Sequence, residues 1–321
     1  RFEHLWNVSL DPEPGLTVTE MTQSALNKGI RGMYIMGENP AMSDPDLNHA
    51  RTAFSQLDHL VVQDIFFTET AGFADVVFPA SAFPEKTGSF TNTDRRVQIG
   101  RQALDPPGDA KQDIWIIENL ARKLGLNWNY ASVQEIFNEL RLANDSISGI
   151  SWESLNKHNS LTYPYNADEH KSESVLFQHN FPTPSGKARF IPVNYTKADE
   201  LPCESFPYIL ITGRQLEHWH TGSMTSRARV LSTLEPGPVI SLNPADIKEL
   251  GLREDETVII ESRRGRISSK IRADSRIQPQ TVFMAFCYRD AAINLLTNSA
   301  MDPIGKIPEF KFCAVQVRPE G

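Results

Sequence analysis

Residues 211–227 read ITGRQLEHWHTGSMTSR, and the rest of the chain is best read outward from them. Residues 208–211 (YILI) have the β-branched and aromatic content of a buried strand, and Gly213 ends it. Polar groups follow at once: the Arg214 guanidinium, the Gln215 amide, the His218 and His220 imidazoles, the Trp219 indole, and the hydroxyls of Thr221, Ser223 and Thr225. A plain surface turn has no use for so many donors and acceptors. The placement predicts a binding site at the end of a strand.

Downstream, short strands are predicted over residues 257–261, 267–273 and 281–286, with Arg264 and Gly265 at a hairpin turn. One helix interrupts them, with Asn243 as cap, Pro244 in its first turn, Ile247 and Leu250 on its buried face, and Gly251 as its stop. A small β-barrel is the natural closure for so many short strands. Upstream, residues 30–126 alternate short apolar strands with amphipathic helices, which predicts a Rossmann-like α/β layer with a mostly parallel sheet. Residues 33–36 and 60–62 are its strands. Between them, Ser43 or Asp44 is expected to cap a helix with Pro45 in its first turn and with Leu47, Ala50, Phe54 and Leu57 on one face. A later helix over 113–124 aligns Ile114, Ile117, Leu120, Ala121 and Leu124 as a core face, and Gly125 stops it. Residues 144–204 are polar and weakly periodic, which reads as a connector. The expected division is 1–143 for the α/β part, 144–205 for the connector and 206–321 for the barrel.

The 321 residues suffice to bury a sizeable core, and 40% apolar with 22% charged residues is ordinary for a globular protein. A formal net charge of -8 repels nucleic acid and anionic lipid, so an anionic ligand needs a local basic cluster. No apolar run approaches the roughly 20 residues that span a bilayer, and no signal-peptide pattern opens the chain, so a cytoplasmic location is expected. The start at Arg1 suggests a longer polypeptide. Cys203, Cys287 and Cys313 are far apart and form no C-x-x-C pair, which supports neither a disulfide framework nor a cysteine-ligated cluster.

Several motifs carry two readings. Gly37, Glu38, Asn39 and Pro40 follow a strand, where α/β sheets form ligand crevices; alone they are equally a strand-to-helix turn. Asp64 and Thr68 flank the end of the next strand and could simply cap a turn. His218 and His220 invite a zinc reading, but no cysteine or carboxylate at ligand spacing completes a tetrahedral set. A buried, hydrogen-bonded pair fits better, and contact with a cofactor best of all. Gly186 and Lys187 lack the rest of a phosphate-binding loop, so an ATPase is rejected.

The 211–227 stretch resembles the start of the last domain of the molybdopterin oxidoreductases, in their formate dehydrogenase and nitrate reductase branch. A second signature follows in order: Asn294, Leu295, Leu296, Thr297, then Asp302, Pro303, then Pro308, Glu309, Phe310, Lys311, Phe312 and Cys313. The whole chain resembles the C-terminal portion of the catalytic α subunit of NAD-linked formate dehydrogenases. That resemblance implies a double-psi barrel and a bis-molybdopterin guanine dinucleotide carrying molybdenum or tungsten. Gly37, Glu38 and Asn39 would meet its phosphates or sugar. Asp64 and Thr68 would bind the nucleotide, with the Asp64 carboxylate accepting from guanine N1 and its exocyclic amine. Arg214, Gln215, His218, His220 and Thr221 would contact phosphate or pterin, and Asn294, Phe310 and Lys311 the second pterin. Also implied are formate as substrate, iron-sulfur clusters in a segment upstream, and partner subunits carrying iron-sulfur, flavin and NAD. No residue of these matches the family's metal ligand or catalytic pair, so this portion alone is expected to be inactive. A nitrate reductase, or a nucleotide-binding scaffold without catalysis, is the alternative.

Overall fold

A computed structural model describes residues 1–320. Strands β1 (Gly32–Met36), β2 (His59–Asp64) and β3 (Val76–Pro79) form a three-stranded sheet in that order, and β1 runs parallel to β2 with Met36 opposite Gln63. Leu60 and Val62 of β2 are buried against Ala50 and Phe54, which lie on the helix Leu47–Ser55 joining the two strands. This is the expected strand-helix-strand unit, with one correction. The connecting helix is broken in two, Pro40–Ser43 and Leu47–Ser55, and Asp46 precedes the second piece at φ 46° without a side-chain cap bond. Pro45 explains the break, because its ring drives Asp44 out of the helical region to φ -71°, ψ 148°.

The chain divides into two compact units, one of residues 1–14 and 79–195, the other of residues 15–78 and 196–321. These are not the linear segments 1–143, 144–205 and 206–321. In the first unit, β4 (Gly88–Thr91), β5 (Arg96–Gly100) and β6 (Ser160–Thr162) form an antiparallel sheet, and β7 (Tyr165–Asn166) pairs antiparallel with β8 (Lys171–Ser172). The expected parallel layer therefore does not continue through residue 126. Nor is 144–204 a plain connector: Ile147, Ile150, Trp152, Leu155 and Tyr165 are buried with Val97 and Phe137. Ser151 caps the helix Trp152–His158 by accepting from the Ser154 amide at 3.0 Å. The few apolar residues of this stretch are spaced to fill one small core, which average composition conceals. The helix Asp113–Lys123 also departs from expectation, because it buries Ile116 and Ala121 while Leu124 is 79% exposed.

In the second unit, β9 (Tyr208–Gly213), β10 (Val239–Leu242), β11 (Thr257–Glu261), β12 (Arg266–Ala273), β13 (Thr281–Ala285) and β14 (Cys313–Pro319) close into a six-stranded barrel in the order β10-β12-β11-β14-β9-β13. Alternate residues of each strand face its interior, so Leu210, Ile240, Leu242, Val258, Ile260, Ile271, Val282, Met284, Val315 and Val317 make one core. The β11–β12 hairpin turns through Arg264 and Gly265, closed by the Ser262 amide donating to Gly265 O at 2.9 Å. Asn243 caps the helix Pro244–Glu249 as expected, its side chain accepting from the Ala245 amide. Among the described residues no helix is long and apolar enough to cross a membrane.

Candidate cofactor site

All the candidate residues fall in the second unit, and they lie in two groups that touch. The first group stands at the carboxyl ends of β1 and β2. Gly37 leaves β1 at φ 65°, where a β-carbon is strained, and its amide donates to Gln63 O at 2.9 Å, so the loops after both strands start side by side. A crevice at this edge is where open α/β sheets bind ligands. Glu38 is exposed, and its charge acts on Asp44 and on His220. Asp64 accepts at Oδ1 from the amides of Ile65 at 2.7 Å and Phe66 at 3.3 Å, which fixes its carboxylate at the strand end. Thr68 is buried, and its hydroxyl accepts from the Ala71 amide.

The second group sits where β9 and β13 end, side by side in parallel register with Gly213 opposite Ala285. Phe286, the next residue after β13, organises it. The Arg214 guanidinium lies 5.9 Å from the centre of the Phe286 ring and the Lys311 ammonium 5.2 Å from it, while the His220 ring meets it edge-on at 5.2 Å. Three nitrogenous groups thus gather around one aromatic ring, whose quadrupole attracts a cation placed over its face. Lys311 is anchored by donating to Thr212 O at 2.9 Å, and Thr212 in turn donates to Phe310 O at 2.7 Å. Burial and the neighbouring Arg214 charge hold the Lys311 pKa below its ordinary value. Burial, then Arg214 and Lys311, lower that of His220 despite an opposing pull from Glu38. Among the described residues neither Arg214 nor Lys311 has a carboxylate partner within ion-pair distance. The cluster is thus a basic patch, in a chain of net charge -8, suited to an anion.

His218 and His220 do not form a pair. The 4%-exposed His218 ring lies edge-on to Tyr288 at 5.9 Å, with Nε2 3.0 Å from Glu235 O and with Nδ1 buried and unpartnered. Gln215 donates to the Tyr288 hydroxyl at 2.8 Å. His218 lines a crevice of about 380 Å³ together with Thr221, Ser223, Cys287 and Tyr288. Gly222, at φ 76°, makes this packing possible: a β-carbon there would stand 2.5 Å from Cys287 O. Thr221 and Ser223 share a hydroxyl contact at 3.2 Å.

Two candidates are spent on internal contacts. Asn39 is 6% exposed and uses its whole amide: Nδ2 donates to Glu69 Oε2 at 2.7 Å and to Ser223 Oγ at 3.0 Å, and Oδ1 accepts from the Thr70 amide at 3.1 Å and the Thr70 hydroxyl at 2.8 Å. Asn294, equally buried, donates to Met42 O at 3.1 Å and Ser43 O at 3.0 Å and accepts from Thr297 Oγ1 at 3.2 Å. Through these contacts the β1 loop is fastened to the barrel. Arg227 adds a third tie, with its guanidinium 4.6 Å from the centre of the Phe66 ring. Sequence reading missed Glu69, Phe286, Tyr288 and Arg289, whereas Ser223 belonged to the polar cluster it named. Only Phe286 carried a local signal, as an aromatic at the end of a predicted strand.

Residues 8–123 match the family described as molybdopterin oxidoreductase, and residues 208–314 match the molydopterin dinucleotide binding domain. The chain carries a molybdopterin oxidoreductase domain and a molydopterin dinucleotide binding domain. It is 45% identical over 318 residues to the F420-dependent formate dehydrogenase subunit alpha of Methanocaldococcus jannaschii, covering 98% of this chain and 47% of that protein. It is 33% identical over 324 residues to formate dehydrogenase H of Escherichia coli, covering 99% and 45%. The chain therefore spans about half the length of the curated relatives it matches. Among solved structures, acetylene hydratase from Pelobacter acetylenicus superposes with a TM-score of 0.74 over 94% of this chain and 46% of that one, at 20% identity. That likeness concerns the fold alone.

With these two domains, the chain has a donor set that fits a molybdopterin guanine dinucleotide: cations without a carboxylate partner beside an aromatic ring, an unpartnered buried imidazole nitrogen, an open glycine turn and a fixed carboxylate. Among the described residues no group of three or more His, Cys, Asp or Glu side chains could hold a metal ion.

Proposed function

We propose that this chain is the cofactor-clamping C-terminal portion of a formate dehydrogenase catalytic subunit, acting on formate with a bis-molybdopterin guanine dinucleotide. The observation that carries this reading is the cluster of Arg214, His220 and Lys311 around Phe286, a cationic recess beside a crevice that already contains an unpartnered imidazole nitrogen. When bound, the cofactor supplies the two-electron redox chemistry at its molybdenum or tungsten. The chain's own part is to hold and orient. Arg214 and Lys311 neutralise phosphate or pterin oxygens, His218 and Gln215 offer directional bonds, and the turns at Gly37 to Asn39, Asp64 and Thr68 receive the nucleotide end. In this reading the three-stranded layer is Rossmann-like and the barrel is of the double-psi type, which the parallel pairings of β1 with β2, β9 with β13 and β10 with β12 support.

Electrons would leave through iron-sulfur groups upstream to a partner subunit. An NAD-linked acceptor is the expectation from sequence. Three relatives at 45%, 41% and 36% identity are named F420-dependent, which favours F420 over NAD as the acceptor. The test uses the complete polypeptide that carries this chain: molybdenum and tungsten by mass spectrometry, guanine nucleotide after acid hydrolysis, and formate-dependent dye reduction. Metal, nucleotide and turnover are expected together. Nitrate reduction without formate oxidation would transfer the assignment to the sister activity, and absence of both metal and nucleotide would leave only a scaffold.

A further inference from the structure

The Glu69 carboxylate touches both walls of the candidate site. It lies in the turn after β2 with 17% of its side chain exposed. Oε2 accepts from Asn39 Nδ2 at 2.7 Å, and Oε1 lies 3.0 Å from Arg289 Nε. Asn39 belongs to the β1 loop, whereas Arg289 sits three residues beyond Phe286, whose ring carries the Arg214, His220 and Lys311 cluster. The Asn39 amide has a single nitrogen for Glu69 and Ser223 and a single oxygen for Thr70, so its orientation is dictated by these partners. Thr70 closes the circuit by accepting from the Ala41 amide at 3.0 Å. Arg51 lies near enough for its charge to interact with both Glu69 and Arg289, and its Nε donates to Ala41 O at 3.0 Å, so the carboxylate is flanked by positive charge.

We propose that Glu69 is a positioning residue: one carboxylate, two acceptor oxygens, that sets the spacing between the nucleotide-receiving β1 loop and the cationic Phe286 recess. The inference rests on the cofactor reading for what the spacing serves, but the coupling of the two loops is a property of the chain itself. An acid is needed rather than an amide, because the two donors approach different oxygens and glutamine would turn an NH2 donor toward one of them.

The test is amide hydrogen exchange on the complete polypeptide, comparing wild type with Glu69→Ala and Glu69→Gln. In Glu69→Ala, the amides of Ala41 and Thr70 and those of residues 286–290 should all exchange at least about tenfold faster, while barrel amides such as Ile271 stay unchanged. Glu69→Gln should loosen one loop and spare the other, because its amide nitrogen must face one of the two donors. Release of the guanine dinucleotide from cofactor-loaded protein should quicken in Glu69→Ala by about tenfold or more. Acceleration confined to the Glu69 turn, or equal acceleration throughout the barrel, would overturn the proposal. A wild-type protein without nucleotide would instead sink the cofactor reading, and the exchange data would still decide the role of Glu69.

Discussion

Replacing Asn294 with alanine separates a clamp from a ligand contact. In the native chain its Nδ2 donates to Met42 O at 3.1 Å and Ser43 O at 3.0 Å, and the Asp46 amide returns a bond to Thr297 O at 3.2 Å. The substitution deletes the two bonds to the β1 loop, removes the Oδ1 acceptor of Thr297 Oγ1, which keeps Asn294 O, and leaves the backbone bond in place. A neutral hydrogen bond contributes about 1 kcal/mol net, and a buried acceptor left without a partner costs roughly 1 to 3 kcal/mol. The Ser43 contact is only partly buried and falls at the low end, whereas the Met42 contact is buried, so the sum is about 2 to 4 kcal/mol. Local opening around Asp46 should then become more frequent by roughly 30-fold to several hundred-fold, at 1.4 kcal/mol per decade. Amide exchange at Asp46 and Ala50 in cofactor-free protein reads this directly, with Ile271 of the barrel as the control. A change below about threefold, accompanied by loss of nucleotide from the loaded protein, would show that Asn294 serves the ligand and not the fold.

Asp64→Ala should lower guanine dinucleotide retention by an amount equivalent to about 1.5 to 3 kcal/mol, the usual worth of a charged hydrogen bond, and unchanged nucleotide content after dialysis would exclude Asp64 as the base reader. His220 has a folded pKa below its ordinary 6.5, so the unfolded chain takes up its proton first. The stability that neutral His220 contributes is complete above pH 6.5 and is lost as pH falls through the lowered folded value. His220→Gln should flatten the melting temperature between pH 7.5 and about pH 5; an unaltered acid slope would contradict this. Asp44 behaves oppositely: burial, joined by the Glu38 charge, pushes its pKa from 3.8 up to about 6, so folding is penalised as pH rises through about 6. Asp44→Asn keeps an acceptor for Thr22 and should raise the melting temperature at pH 7.5 more than at pH 5, and a uniform shift at both would refute the cause given.

Short-range rules sufficed for whatever is decided within a few residues. Alternating apolar residues placed β9, β11, β12 and β13, Asn243 and Pro244 placed a helix start, and Arg264 and Gly265 a hairpin. The same rules put the candidate residues at strand ends, because that is where a polar cluster can follow a buried strand. They failed at Pro45, where the residue before a proline leaves the helix, and over 144–204, where a sparse set of apolar side chains forms a core that average polarity masks.

What the tertiary structure alone decided is which polar groups are free. Asn39 and Ser223 are 184 positions apart, and Asn294 and Met42 are 252 apart. No local pattern connects them, yet each buried amide must find its partners somewhere in the fold. Those long-range bonds consume Asn39 and Asn294, while among the described residues the packing around Phe286 and Tyr288 leaves Arg214 and Lys311 without a carboxylate partner and one nitrogen of His218 without any partner. Residue type at a strand end could nominate all of these groups, but only the closed barrel, by bringing distant loops within hydrogen-bond reach, separates those tied into the fold from those left without a partner.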